Sequence, residues 1–237
     1  MKVLTFALTK GRLASQTLDL LEKIGITCPE MKDGKSRKLI FENVDWEGST
    51  LNARSSSLVQ GEESIEPIQL RFFLAKGSDV PTYVEYGAAD IGVVGKDTIL
   101  EEGRKVHEVL DLKFGACKLC VCGNESAREN LEKKEPFRVA TKYPNIAKDY
   151  FFNKKHQTVE IIKMNGSIEL APLVGLSEVI VDIVETGSTL KENGLVILED
   201  IMPLSARMIV NPVSMRIENE QIQKLIVGLQ DVLSEAK

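Results

Sequence analysis

The sequence predicts an α/β protein built from two similar lobes, and three observations lead there. Short β-branched runs alternate with helix-periodic segments along the 237 residues, the pattern of parallel sheets with crossover helices. A weak internal repeat pairs LRFFLAKGSDVPTYVEYGAADIGVVG at 70–95 with VEIIKMNGSIELAPLVGLSEVIVDIVETG at 159–187. Each copy reads strand, Gly-Ser, helix, strand, then Asp-Ile-x-x-x-Gly, which matches Gly77 and Ser78 with Gly166 and Ser167, Asp90 with Asp182, and Gly95 with Gly187. The apolar fraction of 43% is enough to fill one large or two small cores.

The elements follow in order. VLTFAL at 3–8 reads as a buried strand, and Lys10-Gly11-Arg12 leads from it into a helix with Leu13, Thr17, Leu18, Leu21 and Ile24 on one face. Gly25 is the stop signal. Arg37 and Lys38 precede a strand at LIF, and residues 45–69 then break the rhythm. That segment is serine-rich and net acidic, and it is expected to be a polar insertion outside the catalytic machinery; the other reading is a lid or partner surface anchored by Trp46. The apolar runs CKLCV at 117–121 and ARMIV at 206–210 flank the second repeat, so the chain is expected to cross to the second lobe and return there. Lobe I then holds 1–112 and 212–237, with the insertion 45–69, and lobe II holds 113–211. The stripe Ile222, Leu225, Ile226, Leu229, Val232 and Leu233 predicts a closing amphipathic helix docked on lobe I.

Composition excludes several classes. Thirty Lys and Arg against 35 Asp and Glu leave a net charge of −5, the wrong sign for a general nucleic-acid binder. The N-terminal apolar run is too short for a signal peptide, and no stretch is apolar enough to span a membrane. The 4 cysteines form no disulfide framework, so a reducing, cytoplasmic setting is expected. Cys120 and Cys122 should share one strand face and Cys117 the other, as core residues rather than metal ligands. With only 2 histidines, a Ser-His-Asp set has no support, and neither a dinucleotide fingerprint nor a Walker lysine motif occurs.

The strongest local signal lies at 179–190. A strand carrying Asp182 and Glu185 runs into Thr186-Gly187-Ser188-Thr189 and then Leu190 at the head of a short helix. Small hydroxyl residues around a glycine let backbone N–H groups approach a phosphate closely. The acids just upstream cannot bind the same phosphate; they suit sugar hydroxyls or magnesium. Together they form the arrangement expected for a ribose 5-phosphate ligand. Lys10, Gly11 and Arg12 sit where a first strand ends, the edge at which open α/β sheets bind ligands. Arg37 and Lys76 add cations at equivalent strand ends. Taken singly, each of these could be an ordinary surface charge or helix cap.

The motifs TKGR, DVPTYVEYGAADIGVVGKD, RVATKYPNIAKDYF, IIKMNGSIELAPLVGL and VDIVETGSTLKENGL together resemble the ATP phosphoribosyltransferase family, across nearly the whole chain except 45–69. The resemblance implies a two-lobed, periplasmic-binding-protein-like (type II) α/β fold with the active site in the inter-lobe cleft. It implies transfer of the phosphoribosyl group of phosphoribosyl diphosphate to N1 of ATP, with release of diphosphate, as the first step of histidine biosynthesis, with Mg2+ required. On these motifs Lys10, Arg12, Arg37 and Lys76 are the candidate catalytic cations. Gly11, Asp79, Tyr83, Gly95, Lys96, Asp97, Ser167, Glu169, Asp182, Glu185, Thr186, Gly187, Ser188, Thr189 and Leu190 are the candidate substrate-binding positions. The chain resembles the short form of the family, which implies a separate regulatory subunit similar to histidyl-tRNA synthetase, in a hetero-octamer. Two other readings stay open on residues alone: a different phosphoribosyltransferase, and a non-catalytic two-lobed binding module.

Overall fold

A computed structural model of the chain describes residues 3–32, 38–46, 68–133 and 135–235. The chain divides into two compact units. Unit 1 holds Met1–Thr98, Arg104–Phe114 and Ala206–Lys237, and unit 2 holds Ile99–Gly103 and Gly115–Ser205. The strands are β1 (Val3–Thr9), β2 (Ile40–Trp46), β3 (Ile68–Ala75), β4 (Ile91–Gly95), β5 (His107–Asp111), β6 (Cys117–Gly123), β7 (Phe137–Thr141), β8 (Val159–Lys163), β9 (Val179–Val184), β10 (Val196–Leu204) and β11 (Ala206–Val210).

Unit 1 is built on a sheet of order β2-β3-β1-β4-β11-β5, in which β1 pairs in parallel with β3 and β4. Consecutive buried residues such as Phe6, Ala7 and Leu8 mark β1 as covered on both faces, which is why it reads as an unbroken apolar run. Phe6 stacks on Phe72 of β3 with ring centroids 4.9 Å apart. The helix Arg12–Glu22 buries Ala14, Thr17, Leu18, Leu20 and Leu21. Gly25 follows it in the left-handed region at φ 84°. The helix Asn219–Glu235 lays Ile222, Leu225, Ile226 and Leu229 into the same core, at the spacing of one helical face. β11 is hydrogen-bonded antiparallel to both β4 and β5. Residues 206–211 therefore belong with unit 1, not with the second lobe as the boundary at 211 had it, and 99–103 group with unit 2.

Unit 2 is built on a sheet of order β10-β6-β9-β7-β8. β7 runs parallel to β8 and β9, and β6 runs antiparallel to β9 and β10. Each sheet thus contains the same sequence of neighbours: β3-β1-β4 followed by antiparallel β11 and then β5, and β8-β7-β9 followed by antiparallel β6 and then β10. The repeat read from the sequence is a repeat of topology, but its residue pairs are not all equivalent. Asp90 precedes β4, whereas Asp182 lies inside β9; Gly95 ends β4, whereas Gly187 lies beyond β9. Asp90 is a structural staple: its carboxylate accepts the Thr5 N–H at 2.8 Å and the Ser214 hydroxyl at 2.6 Å. Cys120 and Cys122 are buried in the core on one face of the unit 2 sheet, while Cys117 packs against the core on the other. Burial pushes the Cys120 thiol up to about 12, so it stays protonated and unreactive. Of the insertion 45–69, residues 47–67 lie outside the described residues; at its ends Trp46 of β2 stands opposite Ile68 of β3.

Candidate active site

In unit 1 three parallel strands end level with one another. Thr9 partners Ala75 and Leu8 partners Val93, so the segments that follow β1, β3 and β4 leave from one edge of the sheet. This brings Lys10, Gly11 and Arg12 together with Lys76 and Asp79 and with Gly95, Lys96 and Asp97. The loops are stitched at their roots: the Lys10 N–H donates to Ala75 O at 3.1 Å and the Thr9 hydroxyl to Val93 O at 3.1 Å. Gly11 has φ 93° and ψ −145°, a conformation closed to side-chain-bearing residues except under strain. Its two flanking cations, Lys10 and Arg12, are both exposed, as is Lys76. Lys96 is ion-paired with Glu108, which in turn meets Arg207 at 3.4 Å; Arg207 also meets Asp111 at 3.2 Å. Its charge is already answered within a ladder of alternating signs. Asp79 accepts the Ser78 hydroxyl at 3.2 Å, and exposed Tyr83 stands edge-on to Phe73 at 5.0 Å. Arg37 lies outside the described residues.

Unit 2 repeats the arrangement at the ends of β7, β8 and β9. Asp182 is half-buried in β9, but Glu185 lies past the end of the strand and is exposed, so of the two acids expected on the strand only Asp182 is on it. Burial raises the Asp182 carboxyl above its usual range. The Ile183 N–H opposes that shift, the charge of Glu169 adds to it, and the charge of Lys142 lowers it again. After β9 the chain turns through Gly187 at φ 75°, in the left-handed region, and enters the helix Ser188–Glu192. The Thr186 and Ser188 hydroxyls share a hydrogen bond of 2.8 Å, and Thr189 is exposed beside them. Leu190 packs into the core with 6% exposure, so only its backbone can face a ligand. Ser167, in the loop after β8, is a non-glycine residue at φ 49°.

Lys142 is a cation at this edge that the sequence did not single out, and its charge acts on Asp182. Thr141, the last residue of β7, stands opposite Val181 of β9, so Lys142, just past the strand end, is level with Asp182. Thr141 is fully buried and locks the turn: its hydroxyl donates to Val181 O at 2.6 Å and accepts the Tyr143 N–H at 2.9 Å. The available signal was a lysine immediately after a strand in RVATKYP, but its relation to Asp182 exists only once β7 and β9 are paired.

Each edge offers a different chemistry. The unit 1 edge presents cations around a glycine turn, suited to phosphate chains. At the unit 2 edge a carboxylate is followed by hydroxyls and by first-turn N–H groups that have no intrahelical acceptor, suited to a phosphorylated sugar.

Comparison with known proteins bears on the family and the fold. A family model described as HisG: ATP phosphoribosyltransferase matches residues 76–231. The ATP phosphoribosyltransferase of Lachnoclostridium phytofermentans is 66% identical over 100% of both chains, and that of Lachnospira eligens is 63% identical over 95% of this chain and 94% of its own. Among solved structures, a chain of the ATP phosphoribosyl transferase (HisG:HisZ) complex from Thermotoga maritima superimposes with a TM-score of 0.72 at 30% identity, covering 98% of this chain and 99% of its own. The periplasmic aliphatic sulphonate binding protein SsuA from Escherichia coli follows at a TM-score of 0.54 and 10% identity, covering 98% of this chain and 68% of its own, which bears on the fold alone and makes it type II periplasmic-binding-protein-like. On the family match and the full-length identity, the chain belongs to the ATP phosphoribosyltransferase family.

Proposed function

We propose that the two strand edges are the substrate-binding parts of this enzyme, with the 182–190 corner holding the ribose 5-phosphate of phosphoribosyl diphosphate and the unit 1 cations holding phosphate chains. The family reaction is the first step of histidine biosynthesis: the phosphoribosyl group moves from phosphoribosyl diphosphate to N1 of ATP, giving phosphoribosyl-ATP and diphosphate. Family membership removes both other readings, a different phosphoribosyltransferase and a non-catalytic module. The observation that carries the site assignment is the corner itself, where half-buried Asp182 is followed by left-handed Gly187 with hydroxyls at 186, 188 and 189.

The chemistry assigns the roles. Diphosphate leaves from an anomeric carbon, so positive charge grows on the ribose and negative charge on the departing oxygens. The requirement is electrostatic and positional: cations on the leaving oxygens and the adenine nitrogen held in line. N1 of neutral adenine carries no proton, so no general base is needed. Lys10, Arg12, Arg37 and Lys76 serve the phosphate chains of the two substrates. Asp182 accepts a ribose hydroxyl, and Thr186, Ser188, Thr189 and the backbone around Gly187 donate to the 5-phosphate. Gly11, Asp79, Tyr83, Gly95, Lys96, Asp97, Ser167, Glu169, Glu185 and Leu190 complete the proposed contact set, Leu190 through its backbone.

Magnesium enters this reading as an ion carried by the substrate phosphates. Among the described residues no three His, Cys, Asp or Glu side chains cluster as a metal cage. Oxygen donors at Asp182 and Glu169 nonetheless fit a hard ion that keeps most of its ligands from water and phosphate. Those two side chains would hold it, and when bound it neutralises charge on the leaving group.

The chain works in the cytoplasm in this reading, consistent with the lack of any helix among the described residues long and apolar enough to cross a membrane. Its regulatory partner is a separate subunit similar to histidyl-tRNA synthetase, in a hetero-octamer. Support for such a partner comes from the near-complete two-way coverage with a chain of the Thermotoga maritima HisG:HisZ complex.

Replacing Thr189 with valine tests the corner. Loss of one hydroxyl donor to a charged phosphate should weaken phosphoribosyl diphosphate binding by roughly 1.5–3 kcal/mol, read by titration calorimetry, with the melting temperature unchanged. Unchanged affinity would make Thr189 a helix cap and nothing more.

A further inference from the structure

We propose that Lys142 binds the diphosphate group of phosphoribosyl diphosphate, a role that rests on the reading of the 182–190 corner given above. The sheet register carries the argument. Ala140 and Thr141 of β7 stand opposite Ile180 and Val181 of β9. Ala140 and Ile180 both point into the core of one face of the sheet. Lys142, the first residue past the end of β7, therefore comes level with Asp182 of β9 at this edge of the sheet. Lys142 is exposed, and its ammonium lies 5.9 Å from the centroid of the buried Tyr143 ring, which steadies the side chain without neutralising it. Lys96 at the unit 1 edge is spoken for by Glu108. Lys142, by contrast, has no carboxylate in ion-pair contact among the described residues.

The corner needs such a cation. A magnesium ion held by Asp182 and Glu169 is largely offset by those two carboxylates, so the charge of the diphosphate itself still calls for a cation, while the 5-phosphate is already served by the hydroxyls and N–H groups at 186–189. A ribose hydroxyl held by Asp182 places the neighbouring anomeric carbon, and therefore its diphosphate, on the side of the corner away from Gly187. Lys142 is level with Asp182 there. An ammonium at this position stabilises the charge that develops on the departing oxygens and contributes little to the ribose 5-phosphate end.

The test separates the two ends of the substrate, using inorganic diphosphate and ribose 5-phosphate as inhibitors competing with phosphoribosyl diphosphate in the presence of magnesium. Lys142→Gln should raise the diphosphate inhibition constant roughly tenfold or more, the loss of one charge-assisted contact. It should leave ribose 5-phosphate inhibition and the KM for ATP unchanged, and Lys142→Arg should restore diphosphate binding. Thr189→Val, run alongside, should weaken ribose 5-phosphate. An unchanged diphosphate constant in Lys142→Gln while Thr189→Val behaves as expected would overturn the role of Lys142 and leave the corner standing. Equal weakening of both inhibitors in Lys142→Gln would also overturn it, marking a structural effect. If Thr189→Val leaves ribose 5-phosphate untouched, the reading of the corner fails, and the role of Lys142 fails with it.

Discussion

Asp182 shows how a residue proposed to bind substrate can work against the fold that carries it. Burial raises its carboxyl above the ordinary range, with the charge of Glu169 adding to the shift. A carboxyl whose folded-state pKa lies above its unfolded value costs stability when ionised. That cost is absent at low pH, grows as pH rises through the unfolded value, and is complete above the folded one. Asp182→Asn should therefore be more stable than the parent at neutral pH, with the difference vanishing in acid, as followed by thermal unfolding across pH. The same variant should lose at least about tenfold in kcat/KM for phosphoribosyl diphosphate, because a neutral amide is a weaker acceptor for a ribose hydroxyl. A variant that is less stable at neutral pH would show that the carboxylate is a structural anchor instead. Asp182 and the hydroxyls at 186, 188 and 189 were legible in sequence because they lie within one short stretch. Lys142 was not, since a lysine after a strand means nothing until β7 and β9 are in register, and Glu185 was misread because strand ends are poorly marked by composition.

At the scale of elements, the proposed unit 1 site depends on the helix Val80–Glu85 lying close to β4. Gly92 permits that approach: a Cβ there would come within 2.8 Å of both Val80 Cγ1 and Val84 Cγ2, and within 3.1 Å of Ile209 Cγ1. All three neighbours are buried, so none can swing aside into solvent. Gly92→Ala should destabilise unit 1 by about 1–3 kcal/mol through overpacking, measured by denaturant titration. An unchanged midpoint would mean that the helix rides freely on the sheet. The repeat was legible as strand, Gly-Ser, helix, strand because those units are local. Its residue pairing was not, because Asp90 and Asp182 share a motif position but differ by their place relative to the strand: one staples Thr5 and Ser214, the other faces the site edge. The insertion of β11 between β4 and β5 depends on pairing across the whole of unit 2, which no local pattern encodes.

For the whole molecule, the question is whether catalysis and regulation reside in one chain. An effector must have its own site and different affinities for two states. In the proposed assembly that site belongs to the partner subunit, so histidine titrated against the purified chain should leave turnover unchanged and should inhibit once the regulatory subunit is added. Strong inhibition of the chain alone, at a site not competed by either substrate, would contradict the division of labour. The central claim is more basic, that this chain joins ATP to phosphoribosyl diphosphate with the corner at β9 holding the sugar phosphate. The measurement that tests it most directly is the ultraviolet spectrum of purified chain mixed with ATP, phosphoribosyl diphosphate and magnesium. A new adenine chromophore from substitution at N1 should form in step with released diphosphate, depend on all three additions, and be strongly reduced in Asp182→Asn. A spectrum that stays unchanged under every condition, or an Asp182→Asn variant as active as the parent, would contradict the claim.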